Sequence, residues 1–349
     1  MTNRPIGITA GDPTGVGAEI ILKALEQISA RRRGLCTGIL VYGSLRVLRE
    51  ATERDGLDAQ IVESDNPSDW PKVSVIATGE PVGAIPMGRV AAEAGRVAFS
   101  AIARAVRHAM ERRTRAIVTA PISKEALNLA GHRFSGHTEL LANLSGTRDI
   151  CMMLAHENLR VSHLSTHTAL ADVPKHLTKE RLGCVIDLTL DALGQLGIDE
   201  PKVAVAALNP HAGEGGLFGS EDQEISAPLV ERYRSLGFRV SGPISGDTVF
   251  LRAVSGEFDA VVAMFHDQGH IPVKFLGFRI DPESGRWLGI SGVNVTLGLP
   301  FVRTSVDHGT AFDIAGTGVA SAQSMIDAID FAIRLSSRDN GQNGSGQPE

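Results

Sequence analysis

Short runs of apolar, often β-branched residues recur along the chain and alternate with longer stretches in which apolar positions return every three or four residues. The runs are GILVY at 38–42, VSVIA at 73–77, AIVT at 116–119, VAVAA at 203–207 and AVVAM at 260–264. A run of four or five residues with so little polar alternation fits a strand buried on both faces, as in parallel sheets covered by helices. The pattern therefore predicts α/β layers built on a largely parallel sheet. Between Val90 and Met110, the positions Val90, Ala94, Val97, Ala101, Ala105 and Met110 fall near helical spacing with arginines opposite, which predicts a helix with one buried face. Ile326, Ile329 and Ile333 repeat that spacing before the sequence passes into SSRDNGQNGSGQPE, so a disordered tail is expected over 336–349.

A chain of 349 residues is long enough for two domains or one large α/β unit. No solenoid period and no Pro- or Ser-rich linker divides it, so any boundary lies inside compact structure. Hydrophobic residues at 43% and charged residues at 21% argue against long disorder. The net charge of −6, with no basic block beyond Arg31, Arg32 and Arg33 or Arg112 and Arg113, argues against nucleic acid as a partner. No stretch reaches the ~20 apolar residues that cross a bilayer, and MTNRPIGITAGDPTG has no apolar signal core, so no membrane association and a cytoplasmic address are expected. Cys36, Cys151 and Cys184 lie far apart without CxxC spacing and read as reduced thiols.

Three histidines follow apolar strand-like runs in the same way: LRVSHLSTH ends on His167, VAVAALNPH on His211 and AVVAMFH on His266. Ligands of open α/β sheets bind beyond the carboxyl ends of strands, so imidazoles leaving three such ends can meet at one point. Three histidines suit zinc or a similar divalent ion and leave a coordination position open for water or a substrate oxygen. A lone loop histidine is more often a hydrogen-bonding residue, and His163, His270 and His308 fit the spacing as well. Spacing leaves that choice open.

Two glycine-rich turns invite a cofactor reading and do not meet its requirements. HAGEGGLFG after His211 runs Gly213-x-Gly215-x-x-Phe218, which is not GxGxxG, and reads as a backbone loop shaping the metal site. GDPTGVGAE at 11–19 lacks the lysine spacing of a phosphate-binding P-loop and reads as a tight turn. Anion handling points elsewhere. Lys274 follows His266 by eight residues, Arg303 sits in LPFVRTSVDHG, and SGHTELL puts His137 and Thr138 where a helix begins. Free N–H groups at a helix start, joined by cationic side chains, make a pocket for a phosphorylated or carboxylate-bearing substrate.

Taken together, GDPTGVGAE, TAPISKEALNLAG, GHTE, the STH segment at His167, LNPHAGEGG, MFHDQGHIPVK and GVNVTLGLPFVRTSVDHGTAFDIAG resemble the 4-hydroxythreonine-4-phosphate dehydrogenase family of pyridoxal phosphate biosynthesis, from about residue 5 to residue 335. The resemblance implies an isocitrate/isopropylmalate dehydrogenase-like two-domain fold with an interdomain cleft. Residues 1–135 with 300–335 would form the cofactor-side domain, and 136–299 the metal, substrate and dimerisation domain. It also implies a homodimer with its active site at the subunit interface, NAD or NADP, and a divalent metal, zinc or magnesium, cobalt or manganese. Among the histidines it selects His167, His211 and His266 as ligands. Substrate contacts fall on His137, Thr138, Lys274, Asn294 and Arg303, and HGTAFDIAG at 308–316 resembles an adenosine-binding loop, so His308, Gly309, Thr310 and Ala311 are expected to hold the cofactor.

Asp247 and Lys124 are the candidate bases, and the reaction implied is oxidation of 4-phosphohydroxy-L-threonine to a β-keto acid that decarboxylates. Ala18 stands where the family usually has proline, and RIDPESGRWLGI at 279–290 looks like an insertion. FSGHTELL and DHGTAFDIAG are similar to a branch acting on threonate or erythronate 4-phosphate, which keeps sugar-acid catabolism as the alternative. A non-catalytic anion binder and a metal-dependent phosphate ester hydrolase are the competing classes; neither would use an adenosine loop.

Overall fold

Every one of the five apolar runs becomes a strand, and a helix follows each of them along the chain. In the computed structural model, which describes residues 4–31, 38–68, 70–83, 85–280, 282–283 and 287–337, the first part runs β1 (Ile6–Thr9), α1 (Gly17–Arg31), β2 (Ile39–Gly43), α2 (Leu45–Asp55), β3 (Gln60–Glu63), β4 (Lys72–Ala77), α3 (Ala92–Met110), β5 (Ala116–Thr119), α4 (Lys124–Leu129) and α5 (His137–Ser145). It continues through β6 (Cys151–His156), β7 (Leu159–His163), α6 (Val173–His176), α7 (Lys179–Gln195), β8 (Lys202–Ala206), α8 (Ala227–Ser235), β9 (Arg239–Ile244), α9 (Gly246–Val254), β10 (Ala260–Ala263) and α10 (His266–Gly277). Then come β11 (Phe278–Ile280), β12 (Trp287–Ile290), β13 (Val293–Leu297), β14 (Val302–Val306) and α11 (Gln323–Leu335). Cys36 and 338–349 of the expected tail lie outside the described residues.

Twelve strands form one sheet in the order β3-β4-β2-β1-β5-β14-β13-β6-β7-β10-β8-β9. Pairing is parallel except where β13 meets β14 and β6, and where β6 meets β7. Those reversals turn the second half of the sheet against the first. The carboxyl ends of β1, β5 and β14 therefore lie at the opposite edge from those of β7, β10 and β8. Within the second half, β7, β10 and β8 are parallel neighbours, so the loops bearing His167, His266 and His211 leave the same edge, as the sequence pattern suggested. In the segment 279–290, the described residues of β11 and β12 pair antiparallel as a separate two-stranded sheet, and residues 281 and 284–286 lie outside the described residues.

Helix α3 begins at Ala92, with Ala94, Val97, Ala101 and Ala105 buried, but Met110 is exposed. Five residues separate Ala105 from Met110, which carries Met110 about 140° off the buried face; Ala109, four residues on, takes the inner position. On α11, Ile326 and Ile329 are buried and Ile333 packs against the core edge. The largest core cluster joins β1, β2, β4, β5, β6, β8, β10 and β13 to α1, α7 and α11, so both halves of the sheet share one apolar layer. No helix among the described residues is long and apolar enough to cross a membrane.

Candidate active site

The central strands carry the site because of their register. Arg303 on β14 lies opposite Ile117 on β5, Ser305 lies opposite Thr119 on β5 and Asn294 on β13, and Thr296 on β13 lies opposite Met152 on β6. Alternate residues of a strand point to one face, so Thr119, Arg303, Ser305, Asn294, Thr296 and Met152 share a face, while Val118, Thr304, Val295 and Met153 turn to the other. The second set sits in the core; most of the first set lines a cavity of about 350 Å³. A cavity over the middle of the sheet can draw side chains from both opposed edges.

Arg303 is 2% exposed, donating from one terminal nitrogen to Thr296 Oγ1 at 2.9 Å and from the other to Thr119 Oγ1 at 2.7 Å. Burial pushes its guanidinium down to about 9, which leaves it a cation at neutral pH. Helix α5 starts at His137, where the sequence placed it, and brings His137 and Thr138 to the cavity wall. Burial first, and the neighbouring Arg303 charge second, hold His137 well below the ordinary imidazole range, so its ring is neutral. Lys124 opens α4 behind Ser123, whose hydroxyl caps the helix by accepting from the Ala126 amide at 3.1 Å.

Helix α10 contributes His266, His270 and Lys274 at four-residue spacing, hence on one face, and the last two line the cavity with His167. The His167 and His266 rings stand 6.0 Å apart between centroids. His167 is held below its usual pKa by burial and by the charges of Lys124 and His266. His266 Nδ1 bonds Asp267 Oδ1 at 2.7 Å, which leaves its Nε2 as the ligand atom on offer.

His211 is exposed and starts a left-handed run in which His211, Ala212, Gly213, Glu214 and Gly215 all have positive φ. Among the described residues of one chain no three His, Cys, Asp or Glu side chains stand ready to hold an ion. Two facing imidazoles, one of them tied to a carboxylate, fit a divalent ion as a partial donor set. Asp222 steadies the approach to His211: its buried carboxylate accepts from the Leu208 and Asn209 amides, both at 2.9 Å.

Of the expected cofactor residues, His308 and Gly309 line the cavity, Thr310 meets the first strand's loop, and Ala311 packs against the core. Thr310 accepts from the Val16 amide at 3.1 Å, and a side chain at Gly15 would press within 2.9 Å of the Thr310 carbonyl. Gly15 of GDPTGVGAE thus allows that turn to dock on the 308–316 segment. Asp247 is exposed on α9 and does not line the cavity of its own chain.

Four buried polar atoms at this cavity have no hydrogen-bond partner among the described residues: His137 Nε2, Asn294 Oδ1, Arg303 Nε and Asp307 Oδ2. Buried polar groups are nearly always satisfied, and four orphans around one void describe the outline of a polar ligand. The sequence reading missed Thr119, Thr296, Ser305 and Asp307. Their signal was the alternation around Arg303 and Asn294, which becomes readable only once the strands are paired.

The family described as pyridoxal phosphate biosynthetic protein PdxA matches residues 35–332. A provisionally named D-threonate 4-phosphate dehydrogenase of Bradyrhizobium diazoefficiens is 55% identical over 342 residues, covering 96% of this chain and 97% of that protein. A 4-hydroxythreonine-4-phosphate dehydrogenase of Desulfosudis oleivorans is 45% identical, covering 95% and 96%. The crystal structure of 4-hydroxythreonine-4-phosphate dehydrogenase from Klebsiella pneumoniae superimposes with a TM-score of 0.80 at 42% identity, covering 95% of this chain and 99% of that one.

Proposed function

This chain belongs to the family of the pyridoxal phosphate biosynthetic protein PdxA, as an oxidoreductase acting on a CH–OH group, and from that premise we propose that it oxidises the C3 hydroxyl of a four-carbon acid phosphorylated at C4. The observation that carries this reading is the ring of orphaned polar atoms around a cavity rich in cationic side chains: His137 Nε2, Asn294 Oδ1 and Arg303 Nε, with Lys124 and Lys274 beside them. Such a wall matches a substrate with anionic ends and a hydroxyl between them.

The substrate of that form in vitamin synthesis is 4-phosphohydroxy-L-threonine. Its oxidation gives 2-amino-3-oxo-4-phosphohydroxybutanoate, a β-keto acid that loses carbon dioxide to leave 3-amino-2-oxopropyl phosphate. D-Threonate 4-phosphate is a second reading, favoured by the name of the 55% identical relative; the erythronate ester belongs to the same branch. The threonine- and threonate-derived esters share the carboxylate, the C3 hydroxyl and the phosphate, and differ in bearing an ammonium or a hydroxyl at C2.

His308, Gly309, Thr310 and Ala311 would hold NAD or NADP, which when bound would supply the hydride acceptor. His167, His211 and His266 would hold a divalent ion, zinc or magnesium, cobalt or manganese, which when bound would supply Lewis acidity. Lys124, on the cavity wall, is the candidate to take the hydroxyl proton, which it would do as the neutral amine. Asp247 could do so only from a second copy. Arg303, His137, Thr138, Lys274 and Asn294 fix the substrate's ends, which turns a loose encounter into an aligned one.

A second copy also suits the surface. Phe275 is 85% exposed and Ile271 66% on α10, with Leu251 on α9 and Leu217 beyond His211 both 74% exposed. Large apolar side chains gathered around a site are the mark of an interface, and a homodimer would bring His211 and Asp247 against a neighbouring cavity. A cytoplasmic, two-domain enzyme, divided near 135 and 300, completes the reading.

The test uses metal-stripped protein with both phosphorylated acids and both cofactors, following reduced nicotinamide by absorbance. Rescue by added zinc or manganese, lost in His211→Ala, is the expected result. Full activity in excess chelator, or inertness towards every pair, would overturn it.

A further inference from the structure

Arg303 is a buried cation whose partners in the chain are neutral. Its hydrogen bonds go to the hydroxyls of Thr119 and Thr296, themselves 0% and 2% exposed, and its Nε has no partner. Among the described residues no carboxylate is paired with it, and burial lowers its pKa. A guanidinium taken out of water without a counter-ion is costly, and proteins ordinarily bury it beside an acid. A carboxylate at either threonine position would hold the side chain equally well and would also cancel its charge. Two hydroxyls fix its direction and leave the charge whole.

We infer that Thr119 and Thr296 are positioning residues that aim Arg303, uncompensated, at the phosphate of the substrate, an inference that rests on the phosphorylated acid proposed above. Three features support it. The three side chains stand on adjacent strands β5, β14 and β13 and share one face, so the clamp is part of the sheet and does not depend on a loop. Arg303 lies beside the start of α5, where free amides and the helix dipole add a second positive element for a doubly charged group. Thr119 lines the cavity, and a hydroxyl that accepts from Arg303 keeps its own proton for a bound oxygen; Thr296 does not line that wall.

The clamp can be tested without turnover, by calorimetric titration of the full-length protein with inorganic phosphate. Thr119→Val keeps the shape of the side chain and removes the acceptor, and the phosphate Kd is expected to rise about tenfold, or about 1.4 kcal/mol. Thr296→Val should cost less, about threefold, because only the aim of Arg303 is lost. Thr119→Ser should restore binding to within about twofold. In steady-state kinetics the loss should fall on KM for the phosphorylated substrate more than on kcat, since the phosphate is remote from the C3 hydrogen that is transferred. Wild-type phosphate affinity in both valine variants would overturn the inference, as would a loss confined to kcat or no rescue by serine. If neither phosphorylated acid is oxidised, the substrate reading falls, yet weakened phosphate binding in Thr119→Val would still uphold the clamp.

Discussion

His266 lies flat against His270 one helical turn further on, with ring centroids 3.6 Å apart and planes inclined by 13°, while His270 Nδ1 donates to the His266 carbonyl at 2.9 Å. The carbonyl can only accept, so the tautomer of His270 is settled and its ring is fixed as a platform for the imidazole expected to bind metal. Replacing His270 with Ala should weaken zinc affinity about tenfold, measured by competition with a chelating dye. An unchanged affinity would remove His270 from any supporting role.

The approach to His211 depends on Asp222, which accepts from two successive backbone amides. Asn at this position offers one acceptor and sets an N–H against an N–H. We expect Asp222→Asn to cost about 1–3 kcal/mol in urea unfolding, and to lower metal affinity as well, because the left-handed turn that carries His211 would no longer be tied down. Stability loss without any change in metal binding would separate Asp222 from the site.

His163 supplies a pH dependence. It is buried, it shares a hydrogen bond with the Met152 carbonyl at 3.2 Å, and burial pushes it down to about 4. The unfolded chain takes up this proton near the ordinary value of 6.5, so stability is full above that pH and falls as pH drops from 6.5 towards 4. The loss should reach roughly 3 kcal/mol. Denaturant midpoints at pH 7, 6 and 5 should slope downward in the wild type and be flatter in His163→Gln; parallel slopes would mean that other groups govern the acid limb.

Helix α3 meets α4 at Gly95, where an added Cβ would collide with the carbonyl carbon and oxygen of Ala126. Backbone cannot yield as a side-chain tip can. Gly95→Ala should therefore destabilise by about 3 kcal/mol, read from thermal melts. Its effect on turnover should exceed that of a comparable core substitution far from α4, because α4 begins at Lys124.

The sequence made the layers legible because burial on both faces leaves a mark that needs no partner: AIVT at 116–119 reads as an inner strand wherever it is placed, and the structure puts it beside β1 and β14. Arg303, His137 and Lys274 were legible as candidate anion-binding residues by type and local setting, and the structure brings them to one cavity. Their neighbours were not. Thr119 reads as the end of an apolar run and Thr296 as one more β-former, and neither shows chemistry until pairing sets them around Arg303.

By itself, then, the sequence determined which segments become strands and helices, that three histidines leave neighbouring strand ends, and which family supplies the chemistry. Those features depend on periodicity, local capping and short motifs, all written within a few residues. Tertiary structure alone decided that the halves of the sheet run in opposite directions, that the His167 and His266 rings stand 6.0 Å apart, and that Arg303 lies between two threonines. Residues 119, 296 and 303 come from three strands, two of them far apart in sequence, and their contact depends on register across a sheet. That register is set by the packing of whole strands and by no local signal.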